Sequence, residues 1–269
     1  MNWNKFKLWS LVFFLLSFFG CSTVPLTGRK QLSLVDDNTM QQQASLAYKE
    51  LLNDPKTKVI KGTSNTVMVQ NVGTKIAKAV ERYLQENGYA NQYQFNWEFN
   101  LIDDKQVNAW CMPGGKVAVY TGILPVTKNE AGLATVLGHE IAHAIARHSS
   151  ERASQMLAAQ GVGVGVGLAT QKKSQMLQVA VNQLYGVGSQ VAILSYSRKQ
   201  ESEADRMGLT FMAMAGYNPN EAVTFWQRMA ASSSSTQKPP EFLSTHPSDE
   251  RRIADIKNLI PEAMRHYTK

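Results

Sequence analysis

Two histidines and a glutamate, His139-Glu140-Ile141-Ala142-His143, are the residues of this chain whose types and spacing specify chemistry most directly. On a helix, side chains four residues apart share a face with Cβ atoms about 5–6 Å apart, which lets two imidazoles meet one zinc ion at about 2.1 Å. Glu140 is turned about 100° around the helix axis from His139, so its carboxylate reaches past the ligand pair toward a zinc-bound water. Zinc lowers the pKa of such a water toward about 7, and a carboxylate then takes its proton as it attacks a carbonyl carbon. The implied reaction is peptide hydrolysis. The competing reading is two histidines on a purely structural helix.

A catalytic zinc takes a third protein ligand and keeps its fourth position open. The stretch Gln200-Glu201-Ser202-Glu203-Ala204-Asp205 supplies the candidates. On a helical wheel Ala204, Asp205 and Gly208 fall within about 60° of Glu201, whereas Glu203 lies about 160° away. Glu201 is therefore the expected ligand and Glu203 a solvated charge. Ala204 and Gly208 are small, which allows this helix to approach the His139 helix closely. Asp205, one turn on, suits accepting the free ring N–H of a ligating histidine.

The elements that must position these residues read as mainly α, in an α+β arrangement. Residues 37–53 and 66–87 have amphipathic helical periodicity. Phe95, Trp97, Phe99 and Leu101 then alternate with polar residues, and with 107–112 and 116–121 they predict a small three-stranded sheet. An edge strand carrying Asn108 and Ala109 would lend free N–H and C=O groups to an extended substrate. Thr127 and Glu130 have capping-box spacing, and Leu133, Val136, Leu137, Ile141, Ala144 and Ile145 make the following helix apolar on most sides. Gly161, Gly163, Gly165 and Gly167 alternate with valines in a run too short to span a bilayer, which predicts a mobile segment near the cleft. Further helices are predicted at 174–194, 197–215, 219–231 and 249–260, with a Ser- and Pro-rich loop at 232–240.

Lys5 and Lys7, an apolar run at 8–19 and then Gly20-Cys21 form a lipoprotein-type signal. The expected organisation is a signal peptide at 1–20, a polar tether at 21–35 and one domain at 36–265. Cys21 is the lipidation site, with an uncleaved N-terminal anchor as the alternative. Ser22 in place of an aspartate favours the periplasmic face of the outer membrane. The second cysteine, Cys111, is either buried and inert or paired with another chain, and burial is the favoured reading. The formal net charge is +7. It is scattered and lacks aromatic interleaving, which excludes a nucleic-acid site and leaves at most attraction to anionic membrane surfaces.

With His139, Glu140, His143, Glu201 and Asp205 stand 108–115 (NAWCMPGG), 203–208 (EADRMG), Thr245-His246-Pro247 and Arg252-Ile253. In these motifs the chain resembles the gluzincin metallopeptidases of the heat-shock protease HtpX and CaaX prenyl protease family, in particular its soluble periplasmic lipoprotein branch. The resemblance implies a helical zincin-like fold around a small sheet. It implies one Zn2+ per chain on His139, His143 and Glu201, with Glu140 as base. It also draws in His246, either as a hydrogen-bond donor to the oxyanion or as an occupant of the open zinc position, and Arg252 as an ion pair near Asp205.

Three function classes follow. The leading one is a lipid-anchored endopeptidase acting on unfolded or misassembled envelope proteins, a substrate class implied by the resemblance. The second is a latent or inactive, chaperone-like metal-binding lipoprotein, and the third a zinc hydrolase of cell-wall amides. Envelope assembly machinery and a second copy of the chain are the other candidate partners.

Overall fold

The computed structural model describes residues 20–159, 196–234, 241–246 and 250–267. The signal segment, the glycine-valine run and the helix expected at 174–194 lie outside the described residues. Strands β1 (Cys21–Thr23) and β2 (Lys30–Leu32) form an antiparallel hairpin, followed by α1 (Asp37–Asn53), β3 (Val59–Ile60) and α2 (Ser64–Glu86). Next come β4 (Glu98–Ile102), β5 (Ala109–Met112) and β6 (Lys116–Tyr120). Helices α3 (Leu124–Thr127), α4 (Glu130–Ile145), α5 (His148–Ala159), α6 (Arg198–Met214), α7 (Glu221–Ser234), α8 (Glu241–Thr245) and α9 (Glu250–Met264) complete the described chain.

The sheet has four strands in the order β3-β4-β6-β5, with β4 and β6 parallel and the outer pairs antiparallel. The predicted three are present, but the first starts at Glu98 rather than Phe95. The added strand, Val59–Ile60, is too short to carry a period-2 signal. One face of the sheet packs into a core in which Val69, Val72, Ile76 and Val80 of α2 meet Leu101, Val117 and Val119. Leu133, Leu137 and Ile141 of α4 join the same core with Met207 and Phe211 of α6. Each such side chain, fully buried, contributes about 1.5–3 kcal/mol of transfer free energy. That places α4 in the middle of the molecule, buried on nearly every side.

Two local readings are corrected. The N-cap of α4 is Asn129, whose side chain accepts from Gly132 N–H, while Thr127 closes α3 through a bond to Leu124 C=O. The segment expected to be a polar tether is the docked β1–β2 hairpin and its extension. Val24 and Val35 are buried, and Arg29 is paired with Glu151 and Glu203. Its polar composition concealed a role in neutralising buried acids.

Candidate metal centre

Helices α4 and α6 cross where two glycines face each other. A Cβ on Gly138 would stand 2.8 Å from Gly208 C=O, and one on Gly208 would stand 2.8 Å from His139 N. This backbone-to-backbone approach brings a glutamate of α6 to the histidines of α4. His139 Nε2 lies 3.0 Å from His143 Nε2 and 3.4 Å from Glu201 Oε2, and Glu201 Oε1 lies 3.3 Å from His143 Nε2. His246, just past the end of α8, adds a third imidazole: its Nδ1 is 3.1 Å from His139 Nε2 and 2.9 Å from Glu201 Oε1.

The four donor atoms of His139, His143, Glu201 and His246 all lie within 4.8 Å of one another, and all four residues are buried. Two ligands about 2.1 Å from a tetrahedral zinc stand about 3.4 Å apart, so the observed spacings match a shared ion. Three imidazole nitrogens converging on one point cannot all be hydrogen-bonded to each other, because each contact has room for one proton. The donor set therefore fits one zinc ion on His139, His143 and Glu201, with His246 facing the remaining position.

Electrostatics divide the group by chemistry. Burial raises Glu201, but the electrostatic pull of His246 and Arg252 outweighs it and holds the carboxyl well below its usual range, so it is ionised. Burial pushes His143 well below 6.5, leaving a neutral imidazole fit to ligate. Burial also lowers His139, yet bonds to Asp205 and Glu201 win and lift it to about 9 in the metal-free protein. A metal would displace that proton. Burial raises Glu140 above the usual carboxyl value, against the pull of His246 and His139, which makes its carboxylate a better proton acceptor. Glu140 Oε1 has no aligned hydrogen-bond donor, although His246 Nε2 is 3.3 Å away.

Behind the donors, Asp205 Oδ1 lies 2.9 Å from His139 Nδ1. Arg252 forks the same carboxylate with Nε and Nη2, each at 2.8 Å, and sets Nη1 2.9 Å from Glu201 Oε2. Its guanidinium lies over the Trp226 ring at 3.7 Å. Asn108 and Ala109 sit at the sheet's edge strand, where Asn108 Oδ1 accepts from Ala109 N–H, so that N–H has an internal partner. Cys21 is exposed, and Cys111 is buried and unbridged.

Glu203 departs from expectation. It is 7% exposed rather than solvated, and its carboxylate meets His148, Thr27 and Arg29. The wheel put it on the correct face but could not know that the hairpin covers that face. Two residues at the site went unnoticed in sequence. His148 is fully buried beside His143, and the Tyr196 ring stacks on His143 with centroids 4.0 Å apart. The His143–His148 spacing matches no helical face, because Arg147 takes a φ of 54° and turns the chain back between α4 and α5.

A helical domain around a small sheet, with two α4 histidines and an α6 glutamate about one metal position, defines a gluzincin-type metallopeptidase fold. Residues 71–260 match peptidase family M48, and the chain belongs to that family. It is 34% identical over 240 residues to mitochondrial metalloendopeptidase OMA1 of Schizosaccharomyces pombe, across 89% of this chain and 66% of that protein. Human metalloendopeptidase OMA1 is 28% identical over 284 residues, across 97% of this chain and 51% of that protein. The beta-barrel assembly-enhancing protease of Yersinia pestis is 33% identical over 183 residues, across 66% of this chain and 37% of that protein. The chain thus spans only part, at most about two thirds, of these relatives.

Proposed function

We propose that this chain is a zinc-dependent endopeptidase in which His139, His143 and Glu201 hold the ion and Glu140 is the general base. The observation that carries this reading is the four-donor cluster with an unsatisfied, buried Glu140 carboxylate beside it. Zinc, when bound, supplies Lewis-acid polarisation of a carbonyl and acidifies water. Glu140 takes a proton from the water that attacks the scissile carbon and returns it to the departing amide nitrogen, so one peptide bond and one water become a carboxylic acid and an amine. Asp205 and Arg252 hold the His139 ring and the Glu201 carboxylate in register.

Unfolded or misassembled envelope proteins are the proposed substrates. The name of the Yersinia relative, which refers to β-barrel assembly, supports this choice and assembly machinery as a partner. The mitochondrial relatives leave the same chemistry open in another compartment. Gly20-Cys21 supports a lipid anchor on the periplasmic face of the outer membrane. Among the described residues no helix is long and apolar enough to cross a membrane. A second reading, resting latency, is favoured by His246 Nδ1 facing the same point as the ligand nitrogens.

Metal content and casein cleavage by wild type and Glu140→Gln test the proposal. Both should bind one zinc, and the variant should lose about 10²–10⁴-fold in turnover. Equal cleavage by both, with zinc bound, removes Glu140 from the mechanism. Wild-type turnover of purified peptidoglycan but not of unfolded protein moves the substrate to cell-wall amides.

A further inference from the structure

His139 has its outward ring nitrogen held by Asp205, and Asp205 by Arg252. His143 has no carboxylate at its outward nitrogen. Its Nδ1 instead lies 2.7 Å from Nδ1 of His148, and His148 Nε2 lies 2.9 Å from Glu203 Oε2. For His143 to offer Nε2 to a metal, its proton must sit on Nδ1 and point at His148. His148 must then accept at Nδ1 and carry its own proton on Nε2, aimed at a carboxylate that only accepts. One arrangement of protons satisfies both contacts, and Glu203 is the group that selects it.

The far end of this chain is the N-terminal hairpin. Arg29 Nε donates to Glu203 Oε2 at 2.7 Å, and Thr27 Oγ1 donates to Oε1 at 2.5 Å. The Arg29 guanidinium also forks Glu151 on α5 with two bonds of 2.9 Å. Glu151 in turn accepts from Gln200 Nε2 at 2.8 Å, and Leu34 N–H donates to Ser154 Oγ at 2.9 Å, so the hairpin is latched to both α5 and α6. No step of the proposed hydrolysis uses any of these groups, yet His148, Glu151 and Glu203 are all buried.

We infer that His148 and Glu203 form a positioning relay that fixes the tautomer and ring orientation of His143, and that the β1–β2 hairpin, through Arg29 and Thr27, completes it. The inference rests on His143 being a zinc ligand. It makes the hairpin part of the metal site: Arg29 reaches His143 through Glu203 and His148, and Cys21 is the first residue of β1. Detaching the hairpin would loosen the site without touching a ligand.

Zinc affinity by chelator competition, on the full chain after metal removal, tests the relay in wild type, His143→Ala, His148→Ala, Glu203→Ala and the His148→Ala/Glu203→Ala double variant. Each relay variant should bind zinc about 10–100-fold more weakly. The double variant should be no weaker than the worse single one, because both act through one chain of bonds. Glu203→Gln, which keeps an oxygen acceptor and the side-chain volume, should recover part of the loss and serves if Glu203→Ala does not fold. Nitrogen-15 NMR of the zinc-loaded wild type should find the His148 proton on Nε2, a readout that a merely structural role would not impose. Wild-type affinity in folded relay variants, additive losses in the double variant, or a proton on His148 Nδ1 overturns the relay. If His143→Ala itself binds zinc as wild type does, the ligand assignment fails instead.

Discussion

Replacing Gly208 by alanine perturbs the site without altering a ligand. The new Cβ would lie 2.8 Å from His139 N and 2.9 Å from Gly138 C. Carbon contacts are comfortable at about 3.5–4.0 Å, so α4 and α6 must part by roughly 0.6–1 Å. The opposing atoms are backbone, and no rotamer change relieves them. Overpacking of this kind costs about 1–3 kcal/mol, here toward the upper end. Alanine returns about 1 kcal/mol through helix propensity. Steric cost wins, and the net loss is about 2 kcal/mol. At about 2–4 °C per kcal/mol for a domain of this size, the metal-free Tm should fall by about 4–8 °C. Glu201 rides on the displaced helix, and donors set 2.9–3.4 Å apart do not tolerate a shift approaching 1 Å. Zinc affinity should therefore fall by at least about tenfold, and the rise in Tm on adding zinc should shrink with it. Scanning fluorimetry with and without zinc, together with chelator competition, measures both. A Gly208→Ala protein that melts at or above wild type and binds zinc equally well would show that the glycine crossing does not set the distance between the two helices.

Arg252→Met should destabilise the metal-free protein by about 3–5 kcal/mol in urea unfolding, because it leaves the buried Asp205 and Glu201 carboxylates without their shared cation. If His246 occupies the open position at rest, His246→Ala should raise peptide turnover while weakening zinc binding; loss of turnover with unchanged zinc binding would instead make it an oxyanion donor. Burial raises the Cys111 thiol well above its ordinary value. At pH 9, where a free thiol is largely thiolate, Cys111 should resist iodoacetamide in the native protein and react once denaturant is added, as followed by mass spectrometry.

The candidate site was legible in sequence to the extent that it follows helical geometry. Four-residue spacing set His139 beside His143, and the wheel separated Glu201 from Glu203 because angle about a helix axis depends only on residue number. What covers each face is not encoded that way. Arg29 and Glu203 are 174 positions apart and meet because the hairpin packs across α5 and α6. No periodicity reports a contact of that separation, and the polar composition of residues 21–35 pointed to solvent instead. His148 was hidden for a related reason: the left-handed Arg147 breaks the helical register four residues after His143, so the turn, not the spacing, returns one histidine to the other. The fold shows the same division, with the long helices α1, α2, α4 and α6 readable and the two-residue strand β3 and the helix α5 beyond the Arg147 turn not.

The residues that orient the two histidines tie distant segments to the metal position. His139 depends on α6 and α9 through Asp205 and Arg252, while His143 depends on α5, α6 and the hairpin through His148, Glu203 and Arg29. The two histidines of α4 are thus contacted by two separate sets of elements that meet at α6. On the proposed ligand set, closing the donor cluster around an ion requires both sets to be docked, so metal binding should stabilise the packing of the hairpin and α9 together, and loss of either should be felt at the metal. The Gly138–Gly208 contact sets α6 against α4: a larger separation would leave Asp205 short of His139 and Glu201 short of the histidine pair.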